Sequence, residues 1–153
     1  MATLGRTENL QEAFKRVASG QLKGMLVFVS SKHCPWCHAV IKEQLLPRLR
    51  SQSLPPIAIV EFDIQDTRSL QSHKSRQGKW DSPDLAWPES LSPASWAKRM
   101  RIRAVPTIVA ANEKLEPIVE PLVGYNLADF YGSYLEDQVN ASVNYWNKQR
   151  SSK

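Results

Sequence analysis

The two cysteines of the chain are separated by two residues in the segment Cys34-Pro35-Trp36-Cys37. Thiols at this spacing at the start of a helix can form and break a disulfide with little backbone movement, because the first turn brings the sulfur atoms together. With only 2 cysteines, three positions apart, no disulfide can link distant parts of the fold. The spacing therefore indicates thiol–disulfide exchange, or a site that holds a metal or a haem.

Thiol–disulfide exchange would give the two cysteines different roles. Cys34 is expected to be the exposed nucleophile, and Cys37, one turn inward, is expected to resolve the mixed disulfide. The unpaired amides and the dipole of a helix that begins here would stabilise a thiolate on Cys34. Pro35, His33 and His38 are the neighbours predicted to tune that thiolate.

The hydrophobic pattern predicts a set of elements that would position the cysteine pair. Helices are predicted over 8–21, from Cys34 onwards with a kink or stop at Pro47, from the N-cap Ser92, and over 127–146; strands are predicted over 25–29, 57–64, 107–111 and 117–123. In the last helix the apolar face is expected to be Phe130, Tyr134, Leu135, Val139 and Val143. Residues 66–91 are polar and weakly periodic, which indicates an irregular insertion.

The order of these elements, with the segment Val105-Pro106-Thr107 at the start of a late strand and Gly124 before the last helix, resembles the thioredoxin superfamily. The resemblance implies one α/β domain over 1–153, with a central mixed sheet of about four strands flanked by helices and an insertion before the cis-Pro strand. It also implies that Pro106 is cis and faces the cysteines, and that Val105 and Pro106 bind extended peptide. Protein disulfides or dithiols would be the substrates, and a redox-recycling protein would be a partner.

Two features depart from the small thioredoxins. The strand before the motif has Phe28 where those proteins have a buried Asp that assists proton transfer. The distance in sequence from Cys34 to Pro106 is longer, and the extra length falls in 66–91. That length, together with Gly124-Tyr125, resembles exported bacterial thioredoxin-like proteins, so a periplasmic location after removal of a signal peptide is expected, with the cytoplasm as the alternative.

Two other sites would also use the cysteine pair. Cys-x-x-Cys followed by His38 is the attachment signature of c-type haem, for which Met100 could be a second axial ligand. Zinc could take both cysteines and two of His33, His38 and His73, although structural zinc sites usually have a second pair of ligands at close spacing. The redox interpretation is favoured, because haem attachment needs neither the buried strand before the motif nor the Val-Pro-Thr strand start.

Trp36 lies between the cysteines, where an aromatic ring can pack on a bound peptide. This position also supports a different class of function, a chaperone-like module that binds extended peptides and in which the cysteines are secondary. Between the two redox directions, similarity to thioredoxin-like proteins favours reduction of substrate disulfides.

Composition limits the remaining classes. The chain has 153 residues, 42% of them hydrophobic, and a formal net charge of +5, which is expected to be spread along the sequence. No basic cluster interleaved with aromatic residues suggests nucleic-acid binding. No segment approaches the ~20 apolar residues of a membrane-spanning helix, so membrane insertion is not expected, and no dissociable cofactor is implied.

Overall fold

The computed structural model describes residues 1–70, 91–126 and 128–152, so most of the predicted insertion lies outside the described residues. The strands are β1 (Thr3–Arg6), β2 (Gly24–Ser30), β3 (Ile57–Asp63), β4 (Thr107–Ala110) and β5 (Leu122–Val123). The helices are α1 (Leu10–Ser19), α2 (Pro35–Val40), α3 (Leu46–Arg50), α4 (Pro93–Arg99) and α5 (Ala128–Ser151). None of these helices combines the length and the apolar character needed to cross a bilayer.

The strands form one mixed sheet in the order β1-β3-β2-β4-β5. β1, β3 and β2 are parallel, whereas β4 runs antiparallel to β2 and β5 antiparallel to β4. The prediction of a mixed sheet flanked by helices is confirmed, with five strands rather than about four. β1 adds the fifth strand at one edge, where Leu4 pairs with Ile59.

The strand predicted over 117–123 is much shorter than expected. Only Leu122 and Val123 pair with β4, and Pro117 forms an isolated bridge with Ala111. Pro117 and Pro121 have no N–H to donate to a neighbouring strand, so a continuous ladder cannot form along this segment. The hairpin is therefore held at its two ends.

The two faces of the sheet carry separate apolar clusters. Alternate residues of β2 point to opposite faces, because successive side chains of a strand do so. Met25, Val27 and Val29 face the cluster that contains α1 and α4 side chains. Leu26 and Phe28 face the other cluster, which contains both cysteines and the first half of α5. The cysteine pair thus lies on one defined face of the sheet.

α5 is joined to the sheet by hydrogen bonds from its buried polar side chains. Gln138 Nε2 donates to the carbonyl of Glu120 at 2.7 Å, and Trp146 Nε1 donates to the carbonyl of Ala111 at 3.2 Å. Between them, Ser142 Oγ accepts the N–H of Met25 at 2.8 Å. These three residues are spaced by four along the helix, so they share the face that packs on the sheet.

The buried face of α5 differs from the predicted one in phase. Leu135 and Val139 are buried as expected, but Phe130 and Tyr134 are exposed at 61% and 51%. Tyr131, which the prediction omitted, is only 3% exposed. α5 has apolar residues on two adjacent faces. The hydrogen bonds of Gln138, Ser142 and Trp146 to the sheet side of the domain turn the face of Tyr131 inward.

Pro47 does not end the helix that starts near the cysteines. A π-helical turn, Ile41–Leu45, separates α2 from α3, and Pro47 is near the start of α3. A proline lacks the N–H of the regular helical bond and its ring crowds the carbonyl four residues earlier. The change of hydrogen-bond register upstream of Pro47 lets the chain remain helical.

The two ends of the insertion are tied together. The N–H of Leu70 donates to the carbonyl of Leu91 at 2.7 Å, and the N–H of Ala94 donates to the carbonyl of Asp66 at 2.9 Å. Leu70 and Leu91 are both buried. Ser92 then caps α4 as predicted, with its side chain accepting the N–H of Ser95.

Candidate functional site

β2 carries the chain to the cysteine pair. Every residue of β2 is buried, and the helix that contains the motif begins five residues after its end, at Pro35. Cys34 is the N-cap, with an extended backbone, and its Sγ accepts the N–H of Cys37 at 3.1 Å. Proline suits the first position of a helix, since its missing N–H would have no helical partner there.

Cys34 and Cys37 are joined by a disulfide, with their Cα atoms 5.3 Å apart. The prediction that Cys34 is exposed needs correction, because only 8% of the residue is accessible, against 1% of Cys37. Both residues belong to the apolar cluster that includes Phe28 and Val40. Cys34 is nevertheless the more accessible of the two cysteines, as its proposed role requires.

The Val105–Pro106 segment lies beside the strand that leads to Cys34. The peptide bond between these residues is cis. Thr107, the first residue of β4, pairs with Val29 of β2, and Val105 packs against the cluster that includes both cysteines. Substrate binding by Val105 and Pro106 stays a prediction, and the contact of Val105 with this cluster is the observation that fits it.

Trp36 is 63% exposed, the most accessible tryptophan side chain in the described residues. Its indole meets the ring of Tyr125 edge-on, with the centroids 6.5 Å apart. An exposed ring held by an aromatic neighbour is suited to pack on a peptide. The contact also places the Gly124-Tyr125 segment, which resembles exported proteins, at the cysteine motif.

A hydrogen-bonded network behind Trp36 was not predicted from the sequence. Gln44 Nε2 donates to Tyr125 Oη at 2.9 Å, and Arg48 Nη1 donates to Gln44 Oε1 at 2.9 Å. Tyr125 also contacts the ring of Tyr131, with the centroids 4.9 Å apart. Gln44 and Arg48 had no signal beyond a polar position in a helix, because the residue that links them to the site, Tyr125, lies 81 residues from Gln44 in the sequence.

His33 and His38 are both exposed, as is Pro35 between the cysteine and Trp36. His38 lines a polar cleft of about 770 Å³ at the carboxyl ends of β1, β2 and β3. The backbone N–H of His38 donates to the carbonyl of Cys34 at 3.2 Å, but the imidazole of neither histidine is hydrogen-bonded to a cysteine within the described part of the chain. Their effect on the thiolate stays a prediction.

Phe28 is fully buried on the face of the sheet that holds the disulfide. It pairs in register with Glu61 of β3, whose carboxylate accepts the hydroxyl of Ser30 at 2.8 Å and lines the same cleft as His38. An apolar ring therefore occupies the place of the buried Asp of small thioredoxins. The acid that pairs beside it, Glu61, belongs to the neighbouring strand.

Within the described residues, the structure does not gather a complete ligand set for haem or zinc at the cysteines. Met100 packs against the cluster on the face of the sheet opposite the cysteines. His33 and His38 flank the motif, but no group of three or more metal-binding side chains occurs in the residues that the structure describes. His73 lies outside those residues.

Comparison with known proteins gives similarity to solved structures alone. No protein-family profile matches the chain, and no curated protein does. A chain from a study of the thiol resolving mechanism in yeast mitochondrial 1-Cys peroxiredoxin via glutathione/thioredoxin systems has a TM-score of 0.47 and 14% identity, over 90% of this chain and 94% of that one. Thioredoxin NaTrxh from Nicotiana alata has a TM-score of 0.48 and 14% identity, over 88% and 92%.

The topology of the chain itself defines its fold. The strand order β1-β3-β2-β4-β5, three parallel strands followed by an antiparallel pair, and a cysteine pair at the start of α2 are all present. The chain has the thioredoxin fold.

Proposed function

We propose that this protein is a thiol–disulfide oxidoreductase that reduces disulfides of protein substrates. The observation that carries the proposal is the Cys34–Cys37 disulfide at the start of α2, in which Cys34 Sγ already accepts the N–H of Cys37 at 3.1 Å. The same N–H would stabilise a thiolate on Cys34 once the pair is reduced.

The reaction begins from the dithiol form. The Cys34 thiolate attacks one sulfur of the substrate disulfide, which forms a mixed disulfide and releases the first substrate thiolate to take up a proton. Cys37 then loses its proton, and its thiolate attacks Cys34 Sγ. The Cys34–Cys37 bond forms, the second substrate thiolate leaves, and two electrons have passed to the substrate. A dithiol protein returns the pair to the reduced state.

The surroundings of Cys34 support the reducing direction. A strongly stabilised thiolate makes the dithiol form stable and the disulfide oxidising. Here the sulfur receives one backbone hydrogen bond and is otherwise packed among apolar side chains, which disfavour a thiolate. The proposal includes an exported location, which rests on the resemblance of the 66–91 and Gly124-Tyr125 segments to exported bacterial proteins.

The reduction potential of the pair tests both the activity and its direction. Equilibration with glutathione, followed by tryptophan fluorescence, should give a value near ~−270 mV, whereas a value near ~−120 mV would mark a disulfide donor. Thiols that never exchange with glutathione would refute the proposal. The visible spectrum of the same sample, after incubation with haem, tests the haem alternative.

Two substitutions separate catalysis from peptide binding. Cys34→Ser should abolish reduction of a disulfide peptide, and Cys37→Ser should leave the peptide attached to Cys34 as a mixed disulfide seen by mass spectrometry. A module that only binds peptides would bind the peptide with unchanged affinity in both variants. Ser31→Ala, beside the motif, is the matched control that should keep full activity.

A further inference from the structure

A run of cations follows α4. Lys98, Arg99, Arg101 and Arg103 are all exposed, and none of them makes an ion pair within the residues that the structure describes. No Asp or Glu occurs in the sequence between Glu89 and Glu113. The segment from 90 to 112 therefore carries four positive charges and no negative one. These four residues are called the basic rim.

The basic rim leads towards the disulfide through its last residue, Arg103. Arg103 is two residues before Val105, and Val105 packs against the apolar clusters on both faces of the sheet, including the one that contains Cys34 and Cys37. Pro106, the next residue, is buried and leads directly into β4 beside β2. A substrate whose disulfide reaches Cys34 and whose chain extends along Val105 would bring its flanking residues towards Arg103.

Arg101 adds an independent observation. Its φ is +60°, in the left-handed region that favours glycine. Its N–H donates to the carbonyl of Lys98 at 3.1 Å, and the N–H of Ile102 donates to the carbonyl of Ala97 at 2.8 Å. This is the Schellman arrangement, in which the residue at the position of Arg101 is usually glycine. An arginine thus occupies a position where its side chain is a disadvantage to the local backbone.

Interaction with the helix dipole does not account for all four charges. Cations in the last turn of a helix stabilise its carboxyl end, and Lys98 and Arg99 already occupy that turn of α4. Arg103 lies beyond the helix. Arg101 and Arg103 are therefore left for another role.

We propose that the basic rim selects disulfide substrates that carry acidic residues beside the exchanged cysteine. Complementary charge raises the rate of productive encounter and disfavours partners of like charge. The inference rests on the proposed function, because the selected step is the approach of a substrate disulfide to Cys34. The electron transfer itself is unchanged.

The test uses two disulfide peptides that differ only in the residues flanking the cysteine, two Glu in one and two Lys in the other. The native protein should show a higher kcat/KM for the acidic peptide, by roughly tenfold at low salt, and the preference should shrink at high salt. In the double variant Arg101→Gly/Arg103→Gln the preference should fall about threefold for each charge removed, the factor given in water when Coulomb repulsion from a peptide Lys is replaced by attraction to a peptide Glu at about 14 Å.

Three further variants show whether the peptide preference depends on the charge of the basic rim, on the total charge of the protein or on its stability. Arg103→Lys keeps the charge and should keep the preference. Lys148→Gln removes one exposed charge in the last turn of α5. Its neighbour Arg150 contacts the carbonyl of Leu22, which precedes the amino end of β2. The Lys148→Gln variant should leave the preference unchanged. Arg101→Gly alone should unfold at a higher temperature than the native protein, so a loss of selectivity cannot be attributed to loss of structure.

Each outcome bears on one of the two proposals. Equal kcat/KM for the two peptides in the native protein, or an unchanged ratio in the double variant, overturns the selection. If the native protein reduces neither peptide, the proposed function is wrong, and the affinity of Cys34→Ser for each peptide then decides about the basic rim. Equal affinities would overturn it, and tighter binding of the acidic peptide would support it. Anionic vesicles can compete with the acidic peptide for the protein. If they displace the acidic peptide equally from the native protein and from the double variant, the proposed selection by the basic rim is also overturned.

Discussion

Ser142→Ala tests whether the hydrogen bonds from α5 to the backbone of β2 stabilise the protein. Ser142 is fully buried, and its Oγ accepts the N–H of Met25 at 2.8 Å and donates to the carbonyl of the same residue at 3.0 Å. Removing the hydroxyl leaves a buried N–H without this acceptor, which costs about 1–3 kcal/mol. Alanine returns up to ~0.5 kcal/mol through its higher helix propensity. We expect a net loss of about 1.5 kcal/mol in the free energy of unfolding.

Urea unfolding followed by tryptophan fluorescence measures this loss, and Trp146, one turn away on α5, reports on the same contact. In a protein of this size the change corresponds to a fall of about 3–6 °C in Tm. Ser133→Ala is the matched control, since Ser133 is exposed on the same helix. It should be neutral or slightly stabilising. Equal unfolding midpoints for Ser142→Ala and Ser133→Ala would show that the hydrogen bonds of the Ser142 hydroxyl do not stabilise the protein.

Three other substitutions test features of the site and of α5. The hydroxyl of Tyr131 is buried with no hydrogen-bond partner among the described residues, so Tyr131→Phe should raise stability by about 1 kcal/mol at pH 7 in the same urea assay. Burial raises the pKa of Tyr131, so the unfolded state loses the phenol proton first. Stability should be flat below pH ~10 and fall above it, with Tyr131 contributing at most ~1.4 kcal/mol per pH unit beside the contribution of Tyr145, whose pKa burial also raises, and Tyr131→Phe should fall less steeply. Trp36→Ala should raise KM for a disulfide peptide by roughly five- to tenfold while the reduction potential of the cysteine pair stays unchanged, and an unchanged KM would exclude a peptide contact. Gly132→Ala should give part of the usual gain of ~1 kcal/mol for this change within a helix, because the new Cβ would displace the guanidinium of Arg48, the movable end of a side chain that is bonded to Gln44; a net loss in thermal unfolding would contradict this.

The parts of the fold that were predicted well from the sequence have local causes. The continuous apolar run of β2 indicated a fully buried strand, and all of β2 is buried. Ser92 and Pro93 marked the start of α4, because a hydroxyl cap and a first-position proline act within one turn. The cysteine pair was predicted at a helix start for the same reason, from the change of hydrophobic period after Cys34.

The parts that were not predicted depend on partners far along the chain. β1 is four residues long, contains Gly5, and exists because it pairs with β3. Gln44 and Tyr125 are 81 residues apart, and neither residue has a local pattern that predicts the other. The exposure of Cys34 was overestimated because a position at a helix start indicates access, whereas packing by Phe28 and its neighbours decides it.

The hydrogen bond between Leu70 and Leu91 holds together the two points of the described chain between which 71–90 is inserted. Both leucines are buried in the core, so the contacts that support the sheet are already made on either side of this point. Closure entropy grows slowly with the length of an inserted segment, by only ~0.6 kcal/mol for each doubling, so a change of length between the two leucines should leave the sheet undisturbed. In evolution, and equally in engineering, this is the point at which a new binding segment can be added to the domain.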